Sequence, residues 1–178
     1  MTSLDSPNPI DNLSGTGDTV TVPGLGRCSS LSLGISKWTE SKKRLFEAKT
    51  VNPSNYSDLE YCFNEAYREM KNNLSKISYA IAMAKQNIED IKADIILDEI
   101  PKIMEEKGLR KSSNNADLRN AVFARSEKYR EANEHLANLQ ALEMFFEGHI
   151  KLMENTCRYM RKRMDYIIRS GAPSIGVT

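Results

Sequence analysis

The sequence predicts an all-α protein whose main part is a long antiparallel helical hairpin with coiled-coil-like packing. Two long apolar heptad patterns and the short polar stretch that separates them lead to this prediction. The chain has 178 residues, enough for one domain with a tail. We expect the hairpin to span residues 57–169, followed by a tail at residues 170–178.

The first helix of the hairpin is predicted over residues 57–107. Its seam is apolar or aromatic at Phe63, Tyr67, Met70, Leu74, Ile77, Ile81, Ala84, Ile88, Ile91 and Ile95. Spacings that alternate between three and four residues place these side chains on one face of a helix. We expect Ser57 and Glu60 to form a capping box at its start. Pro101 is expected to kink the helix, because proline removes a backbone donor.

The second helix is predicted over residues 116–169, after a loop at residues 110–115. Its seam consists of Leu136, Leu139, Glu143, Phe146, Ile150, Met153, Cys157, Met160, Met164 and Ile167. Gly171 and Pro173 are typical residues for the end of a helix. Because the connection is short, we expect the two helices to be antiparallel neighbours.

Residues 1–35 are predicted to form a flexible arm, because serine, threonine, glycine, proline and asparagine dominate them. The segment TVTV at residues 19–22 could pair as a short strand in the presence of a partner. A short amphipathic helix is predicted over residues 36–50, before the Asn52-Pro53 turn signal.

The apolar residues outside the hairpin seam predict self-association. Two helices alone would leave these side chains exposed, and long exposed apolar stripes mark interaction surfaces. We therefore expect a homo-oligomer, cyclic as most closed assemblies are. The predicted interface residues are Trp38, Leu45, Phe46, Phe145 and Leu152.

Charge and cysteine content limit the class of protein. The 25 basic residues nearly balance the 24 acidic ones, which excludes a uniformly basic nucleic-acid binder but leaves room for a local basic patch. Three widely separated cysteines indicate free thiols in a reducing compartment. With no signal-peptide pattern and no apolar run near the ~20 residues that span a bilayer, we expect a cytoplasmic protein, in the host cell if phage-encoded, without membrane contact.

The sequence carries none of the familiar nucleotide-binding, zinc-protease or serine-hydrolase motifs. His135 and His149 lie on the same predicted helix, about 21 Å apart by helical rise, so they cannot share a metal. We therefore expect a protein that is not an enzyme, with no catalytic residues and no metal.

Basic residues gather in RYMRKRMDYIIR at residues 158–169 and in SKWTESKKRLFEAK at residues 36–49. Lysine and arginine neutralise phosphates and tyrosine stacks on bases, although cations also favour a helix C-terminus. The basic stretch therefore indicates either a nucleic-acid site or the solvated side of a packed helix. The candidate nucleic-acid-binding residues are Arg158, Tyr159, Arg161, Lys162, Arg169, Lys42, Lys43 and Arg44.

The stretch LRNAVFARSEKYREANEHLANLQALEMFFEGHIKLMENTCRYMRKRMDYI, residues 118–167, resembles the C-terminal half of phage recombination mediator proteins of the UvsY type. The positions that carry the resemblance are Val122, Lys128, Leu136, Leu139, Gly148 and Lys162. It implies an oligomer that binds single-stranded DNA, contacts a single-strand-binding protein and helps to load a RecA-like recombinase. It also implies no cofactor. A structural protein of a phage virion or similar assembly, and a coiled-coil adaptor, are the alternatives.

Overall fold

The computed structural model describes residues 14–108, 110 and 116–171, and its fold is all-α, as the sequence predicts. Two long helical stretches, residues 56–106 and 127–170, form the predicted helical hairpin. The helices are α1 (Ser36–Lys43), α2 (Leu45–Lys49), α3 (Tyr56–Asp94), α4 (Ile100–Glu106), α5 (Ala116–Arg125) and α6 (Glu127–Ser170). Apart from Arg110, the loop predicted at residues 110–115 lies outside the described residues.

The start of α3 differs from the prediction. Leu59 donates its backbone N–H to the carbonyl of Asn55, and the Asn55 side chain accepts a hydrogen bond from the backbone N–H of Asn52 at 2.8 Å. Asn55 therefore precedes the helix and Ser57 lies inside its first turn. The predicted capping box of Ser57 and Glu60 is wrong, because the turn that begins at Asn52 starts the helix earlier.

Each of the two predicted long helices contains one local irregularity. A kink was predicted at Pro101, and the structure has a π-helical turn, Ile95–Glu99, just before this proline. Because proline has no backbone N–H to donate, it favours such a local change of the helical hydrogen bonds. The second predicted helix is divided at Ser126. The Ser126 hydroxyl accepts a hydrogen bond from the backbone N–H of Tyr129 at 3.4 Å, which caps the start of α6.

Three short strands occupy part of the predicted flexible arm. They are β1 (Ser14–Thr16), β2 (Thr19–Val22) and β3 (Leu31–Gly34), in the order β1-β2-β3, with β1 and β2 antiparallel. The prediction of a flexible arm is therefore wrong for the residues of these strands. Val20, Val22 and Leu33 are buried and give the segment an apolar side. The TVTV segment pairs within its own chain. Residues 1–13 of the predicted arm and 172–178 of the predicted tail lie outside the described residues.

The chain divides into two compact units, which are described separately. The first contains residues 32–76 and 142–171 together with the strands before residue 23, and the second contains residues 23–31 and 77–141. In the first unit, the beginning of α3 runs antiparallel to the end of α6. The Cys157 thiol donates a hydrogen bond to the Asn64 side chain, and four residues later Arg161 donates one to Glu60, which lies four residues earlier than Asn64. Its core contains the predicted seam residues Phe63, Met70, Phe146, Met153 and Met160, all fully buried.

A third layer of the first unit is the segment 36–51, which runs parallel to α6. The helix predicted at residues 36–50 is divided at Arg44 into α1 and α2. Its contacts along α6 follow in order: Trp38 with Phe145 and His149, Ser41 with Met153, Lys49 with Tyr159, and Val51 with Arg163. This segment therefore covers a second face of α6.

One apolar cluster of the second unit lies around the π-helical turn. Ile95, Ile100 and Val122 are buried together, and the rings of Phe123 and Tyr129 stack with centroids 5.4 Å apart. Most other apolar side chains around this cluster are only partly buried. No helix in the described part of the chain has the length and apolar character needed to span a membrane.

Candidate nucleic-acid interface

Three cations form one exposed side of α6, which we call the basic face: Arg158, Lys162 and Arg169. At about 100° per residue, steps of four and seven residues keep the three side chains on one side of the helix. None of them makes an ion pair with any residue in the described part of the chain. Their charges are therefore available to an anionic ligand.

Arg161, another candidate nucleic-acid-binding residue of α6, is paired within the chain. Its Nε lies 3.0 Å from Glu60 Oε1, and Glu60 also accepts a hydrogen bond from the Tyr56 hydroxyl at 2.9 Å. The hydrogen bond to Glu60, with a second to Tyr56, raises the pKa of Arg161 above its ordinary value. Its charge is offset by the Glu60 carboxylate, so Arg161 joins α6 to α3 and contributes less attraction for phosphate than the basic face does.

A cleft of about 470 Å³ lies between α3 and α6 in the first unit. Arg158, Arg161 and Lys162 line it, but so do the carboxylates Glu154 and Asp165. This mixture of charges reduces the attraction of the cleft for a polyanion. Cys157 also lines it, and burial raises the pKa of its thiol, which favours the unreactive neutral form.

The last turns of α6 hold a second cleft, of about 440 Å³, lined by Lys162, Asp165, Tyr166, Arg169 and Ser170. Tyr166 was not among the predicted site residues. Its spacing of seven residues from Tyr159 was the signal in the sequence that could have identified it.

Tyr159, the predicted stacking residue, is partly engaged by α2. Its hydroxyl donates to the backbone carbonyl of Lys49 at 3.3 Å, and its side chain lines a groove together with Leu45 and Leu152. The residue is 45% exposed. Tyr159 therefore helps to hold the segment 36–51 against α6.

The cations predicted on the short helix have different surroundings. Arg44 Nη2 lies 2.6 Å from Asp58 Oδ2 and 3.0 Å from Glu47 Oε2, and the hydrogen bond to Asp58 is the main reason that the pKa of Arg44 is raised. Lys42 places its Nζ 4.5 Å from the centroid of the Trp38 ring. Lys43 is exposed and pairs with no carboxylate in the described residues. The charge that Arg44 was expected to offer to phosphate is thus offset by two carboxylates of its own chain.

The predicted interface residues fall into two groups. Trp38 is only 4% exposed, and its ring packs edge-on against Phe145 with centroids 5.7 Å apart, so these two residues cover each other within the chain. The burial of Trp38 within its own chain is contrary to the prediction that it contacts a neighbouring subunit, because the segment 36–51 folds back on α6. Phe145 is only partly buried, and its role in an interface stays a prediction.

Leu45 and Leu152 line what we call the apolar groove, a volume of about 680 Å³ between α2 and α6 that Ala48, Lys49, Asn155, Thr156 and Tyr159 complete. Phe46, on the same short helix as Leu45, is 74% exposed. These are the predicted interface residues that the chain itself leaves accessible.

Among the described residues, no three His, Cys, Asp or Glu side chains converge where a metal ion could bind. No family model, curated protein or solved structure matches this chain. The arrangement of charges and aromatic rings is therefore what supports a function.

Proposed function

We propose that the protein binds single-stranded DNA through the basic face and, without catalysis, acts as an oligomeric recombination mediator that helps to load a RecA-like recombinase. The observation that supports DNA binding is the set of three exposed cations on α6 that form no ion pair within the described residues. Phosphate neutralisation by such cations is the main source of affinity for nucleic acids. The mediator role and its partners, a recombinase and a single-strand-binding protein, are supported by the resemblance of residues 118–167 alone.

The test of DNA binding is fluorescence anisotropy with a labelled single-stranded oligonucleotide at low salt. Changing Arg158, Lys162 and Arg169 together to glutamine should weaken binding by at least about tenfold, because each lost phosphate contact removes a favourable charge interaction. These side chains are exposed, so the variant should remain folded.

The matched control changes Lys85, Lys102 and Lys107 to glutamine, which removes the same charge from exposed positions of the second unit. The control should bind as the unmodified protein does. Equal weakening in both variants would mean that net charge alone drives binding. An unmodified protein that does not bind at low salt would disprove the proposal, and equal binding of RNA would broaden it to single-stranded nucleic acid.

A second candidate function, as a structural protein of an assembly or a coiled-coil adaptor, is supported by the apolar groove and by Phe46. Exposed apolar surface beside a groove is typical of protein contact surfaces. This candidate needs no cations, so its assembly should be unaffected by the three glutamine substitutions on the basic face.

A further inference from the structure

One face of α6 carries an apolar and aromatic residue at every seventh position: Phe145, Leu152, Tyr159 and Tyr166. The segment 36–51 covers this stripe progressively less toward the end of the helix. Trp38 packs on Phe145, and the Lys49 carbonyl accepts a hydrogen bond from the Tyr159 hydroxyl.

Tyr166 lies beyond the end of this cover. Among the described residues, the farthest hydrogen bond of the segment along α6 runs from Arg163 Nε to the Val51 carbonyl, at 3.4 Å, three residues before Tyr166. The residue is 70% exposed, and its hydroxyl bonds to no residue in the described part of the chain. Both its ring and its hydroxyl are therefore open to a ligand.

Two cations of the basic face flank this ring. Lys162 lies four residues before Tyr166 and Arg169 three residues after it, so both are its neighbours on the helix surface. All three line the same cleft of about 440 Å³. The two cations are about 10.5 Å apart along the helix axis, so they are placed to contact different phosphates.

Exposure alone does not distinguish Tyr166, since Tyr61 on α3 is 66% exposed. The neighbours of Tyr61 one turn away are Ser57, Asp58, Asn64 and Glu65, which are neutral or acidic. Tyr166 therefore differs from Tyr61 in having a cation on each side. Asp165 also lines the cleft of Tyr166, and its carboxylate disfavours a phosphate directly beside the ring. This arrangement favours a base at the ring and phosphates at the two cations.

We propose that Tyr166 stacks on a base of single-stranded DNA while Lys162 and Arg169 hold phosphates on either side of that base. The inference rests on the proposed function and adds the residue that touches the bases. Stacking on an aromatic ring is tolerant of sequence, because every base has a π-face. The site would therefore accept any single-stranded sequence.

The test compares two labelled oligonucleotides of equal length, oligo(dT) and a chain of abasic nucleotides, by fluorescence anisotropy. The unmodified protein should prefer oligo(dT) by about 5- to 150-fold, the range expected for one stacked base. Tyr166→Leu should lose this preference while its affinity for the abasic chain stays unchanged. Tyr166→Phe and Tyr166→Trp should keep the preference, because the ring remains.

Two further variants separate stacking from charge. Tyr61→Leu is the control for loss of an equally exposed tyrosine and should behave as the unmodified protein. Lys162→Gln should weaken binding of both oligonucleotides alike, because phosphates are present in both.

A Tyr166→Leu variant that still prefers oligo(dT), or an unmodified protein with equal affinity for both chains, would overturn the stacking role and leave DNA binding intact. Failure of the unmodified protein to bind either chain at low salt would overturn both proposals. The Tyr166→Leu variant should have the same melting temperature as the unmodified protein, which establishes that both proteins are folded in the comparison.

Discussion

Two carboxylates near the start of α3 determine which arginines remain available for a ligand. Glu60 pairs with Arg161 and Asp58 pairs with Arg44. Exposed ion pairs of this kind contribute only about 0–1 kcal/mol to stability. Their larger effect is electrostatic, because they offset the positive charge of two of the predicted site arginines, whereas the three cations of the basic face form no ion pair within the described residues.

The His149 ring is expected to make the stability of the first unit depend on pH. Burial, reinforced by the nearby Lys42 ammonium, lowers the pKa of His149 below its ordinary value. The unfolded chain therefore takes up a proton at a higher pH than the folded chain does. Stability should be complete above the unfolded pKa of about 6.5 and should decrease as the pH falls from there through the lower folded pKa.

Urea unfolding at pH 7.5 and pH 5.0 measures this effect. His149→Phe, which keeps a ring between Trp38 and Phe145, should reduce the loss of stability at pH 5.0. It should not abolish the loss, because burial also lowers the pKa of His135. The same pH dependence in the variant and the unmodified protein would exclude His149 as a cause.

The segment 36–51 is an element whose position depends on a few side chains. Trp38 contacts both Phe145 and His149, and Glu69 of α3 accepts hydrogen bonds from the Trp38 backbone N–H at 2.9 Å and from the Ser36 hydroxyl at 3.2 Å. These contacts fix α1 on the pair of long helices.

Trp38→Ala should lower the free energy of unfolding by about 3–5 kcal/mol, because it leaves a cavity among buried rings. Tyr61→Ala is the matched control, since it truncates an exposed aromatic residue of the same unit that lies outside the predicted interface. It should change the free energy by less than about 0.5 kcal/mol. Urea denaturation measures both values, and equal losses would mean that Trp38 does not anchor the segment.

The elements that the sequence predicted best are those with long periodic patterns. The seam through Phe63, Met70 and Ile77 is buried as expected, because a repeat sustained over many turns leaves one face for the core. Of the three strands, only TVTV was considered, and then only in the presence of a partner; the other two were missed because each has only three or four residues and little pattern. The position of Asn55, before Ser57, depends on a turn that begins at Asn52. Both residue types are good caps, so their order alone does not decide between them.

The sequence was sufficient to predict which cations lie on one side of α6, but not which of them form ion pairs within the chain. The spacing of Arg158, Lys162 and Arg169 places them on one side of a helix from sequence alone. The partner of Arg161 depends on the register between α3 and α6, which a heptad pattern does not fix. Likewise, the covering of Trp38 depends on where the segment 36–51 folds back, and this is a tertiary property.

At the scale of the whole molecule, the apolar groove and Phe46 predict self-association. Phe46→Ser together with Leu152→Ser should lower the mass measured by light scattering toward that of one chain, because both exposed apolar side chains are removed. The same two residues changed to other apolar ones, Phe46→Leu and Leu152→Met, should leave the mass unchanged. A monomeric unmodified protein, or an unchanged mass in the serine variant, would exclude this surface as the interface.

The salt dependence of single-stranded DNA binding by the full chain tests the central claim most directly. If the basic face binds phosphates with its three cations, the logarithm of the binding constant should fall with the logarithm of salt concentration with a slope of about −2 or steeper. Replacing Arg158, Lys162 and Arg169 by glutamine should bring the slope close to zero. Binding that does not depend on salt, or no binding at low salt, would contradict the account and favour a structural role for the helical hairpin.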